Sequence, residues 1–243
     1  MRLQSFLAQA GVSSRRSIVA ELEAGKVKVN GDVVRIPSYP IFPDKDEVKY
    51  MDQVVTLSVS KLYFIFNKPR GVITTAKDTH GRKTVLDYFK DVKARLYPVG
   101  RLDQDTTGLL LVTNDGDLAN KLMHPSYGVE KVYEAVLNQE ATQEQIRQLE
   151  QGVLVEGEKT APCKIKILNA HSGTSKTEIV LHEGKKRQIR VMFQSIGIRV
   201  LNLHRKKYGP LDLEGLAPGK KRPLTGVEIQ TLKNLSARAK SFR

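Results

Sequence analysis

The segment that most constrains the fold of this chain is residues 100–111, GRLDQDTTGLLL. It joins a charged turn to an apolar stretch, residues 108–112, whose composition is typical of a buried strand. The turn places Asp103 at the beginning of that strand. An aspartate at this position is either an ordinary turn residue, which is the commoner use, or a reactive carboxylate. The segment alone leaves both alternatives open.

The overall charge indicates a polyanionic partner. The 243 residues include 40 Lys and Arg against 26 Asp and Glu, giving a formal net charge of +14. Nucleic acid is the partner that such an excess favours, although a basic surface that serves only solubility is the alternative. The length fits one large domain or two smaller ones.

The cysteine content and the hydrophobic pattern predict a cellular location. Cys163 is the single cysteine, so it has no intramolecular disulfide partner, which fits a reducing compartment. The sequence shows neither a leader-like start nor an apolar run of membrane-spanning length. We therefore expect a cytoplasmic protein that does not associate with a membrane.

Residues 1–60 are predicted to form a small domain with the order helix, helix, hairpin, strand. Leu3, Phe6 and Leu7 recur at helical spacing before Gly11. A second helix begins after Ser13 and Ser14, either of which can cap it. Asn30-Gly31 is a strong two-residue hairpin turn, and residues 46–50 suggest a further strand.

Basic residues gather near the two predicted helices and the hairpin, although the net charge of residues 1–60 is close to neutral. A helix N-terminus that carries two arginines is suited to bind phosphate, but solvated surface arginines are the simpler interpretation. The segment RLQSFLAQAGVSSRRSIVAELEAGKVKVNG resembles the alpha-L RNA-binding motif of a small-subunit ribosomal protein. The resemblance implies an RNA-binding surface along the arginine-bearing helix. The candidate contact residues are Arg2, Arg15, Arg16, Lys26, Lys28 and Asn30.

Residues 61–243 show strands and helices in irregular order, which favours an α+β sheet over a doubly wound one. Three helices are predicted. The first follows a turn and cap at residues 114–117 and has Leu118, Leu122 and Met123 on its apolar face, the second runs from Thr142 through Leu149, and the third covers residues 186–195. The predicted strands are residues 62–66, 109–112, 129–137, 153–155, 163–168 and 177–181.

Three further short segments carry possible chemistry, and each alone is weak. They are NKPRG at residues 67–71, KVY at residues 131–133 and EGKKRQIR at residues 183–190. Together with GRLDQDTTGLLL, and in this order, they resemble the successive motifs of pseudouridine synthases that modify ribosomal RNA. GRKTVLDYF and LANKLMHPS resemble the large-subunit type more than the small-subunit type.

The resemblance implies a fold, a division into domains and a reaction. It implies an alpha-L domain at residues 1–60 and a catalytic domain at residues 61–243, built on a mixed, mainly antiparallel sheet with flanking helices and ending in a basic tail from about residue 235. The expected reaction isomerises uridine to pseudouridine without metal or organic cofactor. The expected partner is ribosomal RNA or a pre-ribosomal particle, and the expected state is a monomer.

The resemblance also assigns catalytic roles. Asp103 would act on the nucleoside, either as a nucleophile or as a base, and only the motif match selects it over the nearby Asp105. A partly buried carboxylate needs a cation to remain ionised, and Arg190 is expected to pair with Asp103. Tyr133 would stack on the target base and could remove the proton from carbon five.

A second set of residues is predicted to hold the flipped nucleotide and neighbouring phosphates. These candidates are Lys68, Arg101, Lys186, Arg187, Gln188 and Arg205. Val191 departs from the family pattern, in which a second arginine often follows the QIR segment. Two alternative functions stay open: a small-subunit pseudouridine synthase, and a non-catalytic RNA-binding factor for ribosome assembly.

Overall fold

The computed structural model describes residues 1–57, 60–75, 78–155, 157–171 and 173–237, without the side chains of Arg15, Arg16 and His171. The chain divides into two compact units. The smaller unit comprises Met1–Leu62, Val92–Arg95 and Asn114–Gly116. The larger one comprises Tyr63–Asp91, Leu96–Thr113 and the described residues from Asp117 onward.

The smaller unit has the predicted order of helix, helix, hairpin and strand. Ser14 caps the second helix, since its side chain accepts a hydrogen bond from the Ser17 backbone N–H. Asn30 and Gly31 both have positive φ, 51° and 94°, as the tight turn between the first two strands requires. The elements are α1 (Leu3–Gln9), α2 (Arg15–Glu23), β1 (Val27–Val29), β2 (Asp32–Val33), β3 (Val48–Tyr50) and β4 (Gln53–Val54).

The core of the smaller unit joins the helices to the sheet. The sheet is antiparallel with the order β2-β1-β3-β4. Leu3 and Leu7 of α1 and Ile18 and Leu22 of α2 are fully buried, together with Val27 of β1. The helical spacing of these residues therefore directs both helices onto one face of the sheet.

The larger unit contains eleven strands and four helices in the part of the chain that is described. The helices are α3 (Gly116–Met123), α4 (Gln143–Glu150), α5 (Gln188–Gln194) and α6 (Gly226–Ala237), with short 3-10 helices at Val85–Phe89 and Pro125–Tyr127. The strands are β5 (Tyr63–Lys68), β6 (Tyr97–Pro98), β7 (Thr106–Thr113), β8 (Lys131–Leu137), β9 (Leu154–Val155), β10 (Glu158–Lys159), β11 (Lys164–His171), β12 (Thr174–Leu181), β13 (Val200–Tyr208), β14 (Leu211–Asp212) and β15 (Lys221–Pro223).

A nine-stranded sheet forms the centre of the larger unit. Its main path has the order β11-β12-β8-β13-β7-β5-β15, with β14 beside β13 and β6 beside β7. The neighbours are antiparallel except for β13 and β7, which run parallel. The predicted mixed, mainly antiparallel sheet with flanking helices is confirmed.

Four elements near the end of the chain were not predicted, namely strands β13, β14 and β15 and helix α6. Strand β13 lies at the centre of the sheet between β8 and β7. Helix α6 runs to Ala237, so the beginning of the predicted basic tail is helical, and residues 238–243 lie outside the described residues.

Two further observations bear on the sequence predictions. Within the described residues, every helix is too short or too polar to cross a bilayer. Cys163 is buried, and burial raises the pKa of its thiol to about 12. Because the thiolate is the reactive form, Cys163 is not a nucleophile near neutral pH.

Candidate active site

A buried lysine fixes the loop that carries the predicted catalytic aspartate. The Lys68 ammonium, at the end of β5, donates hydrogen bonds to three backbone carbonyls, those of Pro69 at 3.2 Å, Gln104 at 3.4 Å and Thr106 at 2.8 Å. Lys68 was predicted to bind RNA, and this prediction is wrong because the residue is fully buried. Burial lowers its pKa to about 8, and the charges of Asp105 and Asp103 oppose that shift.

Two more contacts hold the same loop from the segment after β5. The Gly71 N–H donates to the Gln104 carbonyl at 2.8 Å, and the Gln104 side chain donates back to the Gly71 carbonyl at 3.2 Å. The Thr74 hydroxyl donates to the Leu102 carbonyl at 2.7 Å and accepts from the Leu102 N–H at 3.2 Å. Residues 102–106 are therefore fixed on both sides of Asp103.

Two carboxylates and two guanidinium groups meet at this loop. Arg190 of α5 places Nη2 2.9 Å from Asp105 Oδ2. Arg187 places Nη1 3.5 Å from Asp105 Oδ1 and 3.8 Å from Asp103 Oδ2. The sequence predicted an Arg190–Asp103 pair, but among the described residues Arg190 pairs with Asp105, and the longer contact of Asp103 is to Arg187. The fixed path of the loop points Asp105 towards α5.

The Arg190 side chain connects this cluster to the central strand. Its Nη1 donates to the Val200 carbonyl at 2.8 Å, where β13 begins. Burial lowers the pKa of Arg190, and the adjacent Asp105 carboxylate opposes the shift. The guanidinium is 11% exposed, whereas Asp103 and Asp105 are 36% and 35% exposed. Asp103 thus combines access to solvent with the looser of the two ion pairs.

The turn before α5 aims Arg187 at the carboxylates. Arg187 has left-handed backbone angles, φ 50° and ψ 27°, at the helix N-cap. The Gln188 side chain accepts from the Lys185 N–H at 3.0 Å and donates to Glu183 Oε1 at 2.6 Å. Gln188 was predicted to contact RNA, and this prediction is wrong because the residue is 4% exposed and closes its own turn.

Tyr133 lies beside a buried cation. It occupies β8 directly opposite Arg205 of β13, and the Arg205 Nη1 donates to the Tyr133 hydroxyl at 3.5 Å. Arg205 Nε donates to the Leu109 carbonyl of β7 at 2.7 Å. Arg205 was predicted to bind RNA, but it is 2% exposed, so the guanidinium joins three strands from inside the sheet and that prediction is wrong.

Similarity to known proteins decides the family. Residues 62–195, more than half of the chain, match the family described as RNA pseudouridylate synthase, and residues 1–45 match the S4 domain. The chain belongs to the RNA pseudouridine synthase family. The order of an S4 domain followed by a synthase domain confirms the resemblance read from the motifs.

Individual members of the family align over nearly the whole chain. Ribosomal large subunit pseudouridine synthase B of Bacillus subtilis (strain 168) is 44% identical over 99% of this chain and 98% of its own length. Ribosomal small subunit pseudouridine synthase A of Yersinia pestis is 35% identical over 96% and 98%. A crystal structure of a pseudouridylate synthase superposes with a TM-score of 0.70 at 32% identity, covering 96% of this chain and 99% of that one.

Three other candidate RNA contacts of the synthase domain lie at the surface. Arg101 is exposed in the turn before Asp103, and Lys186 and Arg187 are exposed before α5. Leu203 is buried on β13, opposite Thr106 of β7. His204 Nδ1 lies 2.8 Å from the Thr107 hydroxyl, and burial lowers the pKa of its imidazole. These positions leave Arg101, Lys186 and Arg187 as candidate RNA contacts.

Three candidate RNA contacts of the S4 domain bind other residues of the same domain. Lys26 pairs with Glu21 at 2.8 Å and Lys28 with Asp52 at 2.7 Å, both at the surface. The Asn30 amide donates to Asp46 and its carbonyl accepts from the Glu47 N–H, each at 2.9 Å. The Asn30 side chain therefore secures the hairpin while the residue stays exposed, and its contact with RNA stays a prediction.

The remaining predicted RNA contacts of the S4 domain are arginines. Arg2 is exposed just ahead of α1. Arg15 and Arg16 form the first turn of α2, but their side chains lie outside the described residues. Their role in binding RNA stays a prediction.

Sequence reasoning missed the part played by Asp105 and Thr74. The signal for Asp105 was its place two residues after Asp103, on the same turn. Thr74 carried no signal, because a lone threonine after a glycine turn has no distinctive pattern. Among the described residues, no cluster of three or more His, Cys, Asp or Glu side chains is arranged to hold a metal ion.

Proposed function

We propose that this protein isomerises uridine to pseudouridine in ribosomal RNA, and that its target lies in the large subunit. The support for the subunit is the identity of 44% to a large-subunit synthase against 35% to a small-subunit one. The formal net charge of +14 and the S4 domain support RNA as the substrate. The single buried cysteine fits a reducing cytoplasm, where we expect the enzyme to act as a monomer on free or pre-ribosomal RNA.

The observation that carries this proposal is that the Asp103 carboxylate is partly exposed while buried residues fix the loop around it. The isomerisation breaks the bond between ribose and a base nitrogen, turns the uracil, and joins ribose to carbon five. It requires an anionic oxygen next to the sugar. Asp103 is 36% exposed, and the loop around it is fixed by Lys68 and Thr74. A carboxylate positioned in this way reaches an extruded nucleoside without a large rearrangement.

The two carboxylates of the site differ in their freedom to react. Asp105 contacts Arg190 at 2.9 Å and Arg187 at 3.5 Å, so two cations hold it in place. Asp103 has one longer contact, 3.8 Å to Arg187. We therefore assign the reaction to Asp103 and the positioning of both arginines to Asp105. Asp103 can act either as a nucleophile or as a base in this arrangement.

The test measures tritium release from carbon five of uracil in ribosomal RNA transcripts. We expect Asp103→Asn to abolish release while RNA affinity is retained, because the substitution removes the charge and keeps the shape. Asp105→Asn should lower turnover without abolishing it, since Arg190 then loses its nearest anion. Glu144→Gln, at an exposed site on α4, is the control and should behave like the wild type.

The outcomes separate the candidate functions. Release by Asp103→Asn at the wild-type rate would contradict the assigned reaction. RNA binding without release by the wild type would favour the non-catalytic assembly factor. Release from small-subunit transcripts but not from large-subunit ones would overturn the choice of subunit. Mapping of pseudouridine in ribosomal RNA from cells with and without the gene would then identify the modified position.

A further inference from the structure

The interior of the synthase sheet contains a guanidinium whose charge is not balanced. Arg205 is 2% exposed, and no carboxylate lies within ion-pair distance of it in the described part of the chain. Its Nη2 is buried and has no hydrogen-bond partner among the described residues. An unpaired buried charge is costly, so its presence requires a compensating interaction.

The neighbours of Arg205 are aromatic rings and a second cation. The guanidinium carbon lies 5.1 Å from the centre of the Tyr208 ring and 6.0 Å from that of Tyr133. Burial, together with the charge of Arg205, lowers the pKa of Lys131 to about 8. The Lys131 ammonium nevertheless donates to the Val129 carbonyl at 3.0 Å. Arg205 is thus the cation of this group that keeps an unused N–H.

The two tyrosines beside Arg205 are not equivalent. The Tyr208 hydroxyl donates to the Leu122 carbonyl at 2.9 Å, and burial raises its pKa to about 12. It therefore stays neutral. The Tyr133 hydroxyl has the Arg205 Nη1 at 3.5 Å as its neighbour, a cation rather than a carbonyl. Of the two oxygens, that of Tyr133 is therefore the one that faces a guanidinium.

We propose that Arg205 is a positioning residue that stabilises negative charge on the Tyr133 oxygen, so that this oxygen can remove the proton from carbon five of the uracil. This inference rests on the proposed function. It converts the basic residue that the sequence assigned to RNA binding into a residue that acts through Tyr133.

The proposed step balances as a proton transfer. Once ribose is joined to carbon five, that carbon holds both the new bond and its original hydrogen. The Tyr133 phenolate oxygen takes this proton and becomes a phenol. The electron pair of the C–H bond forms the double bond between carbons five and six, and the base nitrogen released from ribose gains an electron pair and takes a proton from water. The phenol then returns its proton to solvent.

The geometry also connects this step to the carboxylate site. Arg205 Nε donates to the Leu109 carbonyl on β7, the strand that begins three residues after Asp103. Arg205 and Tyr133 face each other in register across β13 and β8. One side chain therefore fixes the spacing of β7, β13 and β8, and with it the position of the Tyr133 oxygen.

The experiment is a double-mutant cycle on the full-length enzyme. The variants are Arg205→Lys, Arg205→Gln, Tyr133→Phe and the combination of Tyr133→Phe with Arg205→Gln. We expect Arg205→Gln to lower kcat on the order of 10²-fold, and lysine, which keeps the charge, to restore part of the loss. RNA affinity should not change, because the guanidinium is buried. In the Tyr133→Phe background the same substitution should cost little more.

An isotope effect provides a readout that a purely structural role would not move. With deuterium at carbon five of the target uridine, turnover by Arg205→Gln should slow more than turnover by the wild type, since proton removal becomes rate-limiting. Tyr208→Phe is the matched control, because it removes the hydroxyl of the other tyrosine that packs on Arg205. It should keep the wild-type isotope effect.

The outcomes distinguish this inference from the proposed function. Additive losses in the cycle, an unchanged isotope effect or weaker RNA binding by Arg205→Gln would overturn the role of Arg205 while wild-type activity still supports the synthase. A wild type that forms no pseudouridine would overturn both. If the Arg205 variants do not fold, the guanidinium ¹⁵N signals of Arg205 should shift between the wild type and Tyr133→Phe, and identical signals would contradict the contact.

Discussion

Two of the basic residues that the sequence assigned to RNA binding support the structure from inside. Lys68 and Arg205 are buried, and both donate to backbone carbonyls. The sequence could not distinguish them from Arg101 or Arg187, because the residues around a lysine or arginine do not show whether its side chain faces solvent or the sheet. Burial depends on which strand pairs with which, and that is decided by the whole fold.

The buried lysines predict a rise in stability with pH. Burial lowers the pKa of Lys68 to about 8, so above that pH the unfolded chain binds its proton more tightly than the folded one. The contribution of Lys68 to the free energy of unfolding should therefore increase between about pH 8 and pH 9.5, where the penalty for its buried charge is progressively removed. Lys131, whose pKa is also lowered to about 8, contributes in the same direction. Cys163, whose pKa is raised to about 12, contributes in the opposite direction above about pH 9.

The measurement is denaturant unfolding across that range for the wild type and for Lys68→Met. The variant should show a smaller rise, since one of the two contributing groups is gone. Lys164→Met, at an exposed position on β11, is the control and should keep the full rise. Parallel curves for the wild type and Lys68→Met would show that Lys68 does not titrate abnormally.

At the scale of elements, the close pairing of β7 with β13 depends on one glycine. Gly108 has φ +105°, and a Cβ built there would lie 2.3 Å from the Arg205 carbonyl oxygen. The parallel pair places Gly108 opposite Arg205, so the two backbones meet where a side chain would separate them. The glycine of the GRLDQDTTGLLL segment is thus required by the neighbouring strand.

Gly108→Ala should destabilise the synthase domain by at least about 2 kcal/mol, because it combines backbone strain with a backbone clash. The thermal or denaturant midpoint measures the effect. Gly226→Ala, at the start of α6, has no atom within 4 Å of the added Cβ and is the matched control. Equal midpoints for the two variants would contradict the close approach of β7 and β13.

The elements that the sequence predicted are those with local signals. The two helices and the Asn30-Gly31 hairpin follow from spacing, a capping serine and a turn dipeptide. Strand β13 was missed because its sequence, VLNLHRKKY, alternates poorly and includes the buried Arg205. Helix α6 was missed as well, since the motifs had ended before it.

The sequence predicted which residues belong to the candidate site, but it did not predict which of them form ion pairs with each other. The motif match brought Asp103, Arg187 and Arg190 together, and the structure places them in one cluster. The choice of partners depends on the loop path fixed by Lys68 and Thr74, which lie more than 25 residues before Asp103 in the chain. Side-chain partners at that separation leave no periodic pattern in a sequence.

At the scale of the whole molecule, charge and domain order indicate how the enzyme meets its substrate. The formal net charge is +14, whereas the site itself combines carboxylates with arginines. A long-range field of this kind attracts RNA without selecting a position. We propose that selection then depends on the S4 domain and on the exposed residues around Asp103.

Reversal of charge on α2 tests the contribution of the S4 domain. Arg15→Glu combined with Arg16→Glu should weaken RNA binding and reduce the slope of log affinity against log salt concentration, because fewer counterions are released. Filter binding at several salt concentrations gives both quantities. Lys164→Glu combined with Lys166→Glu, at exposed positions on β11, changes the net charge equally and should have the smaller effect. Equal effects of the two double substitutions would show that α2 contributes only its charge to RNA binding and is not a docking site.

The central position of β13 has a consequence for how the enzyme matures. Val200–Tyr208 supplies the strand between β7 and β8, whose residues are made much earlier during translation. The nascent polypeptide therefore presents β7 and β8 with one unpaired edge each until residues 200–208, near the end of the chain, have been synthesised. Unpaired strand edges of this kind favour slow folding and chaperone binding. Premature termination ahead of this strand would leave β7 and β8 without the strand that joins them, so such a fragment could not assemble the catalytic site.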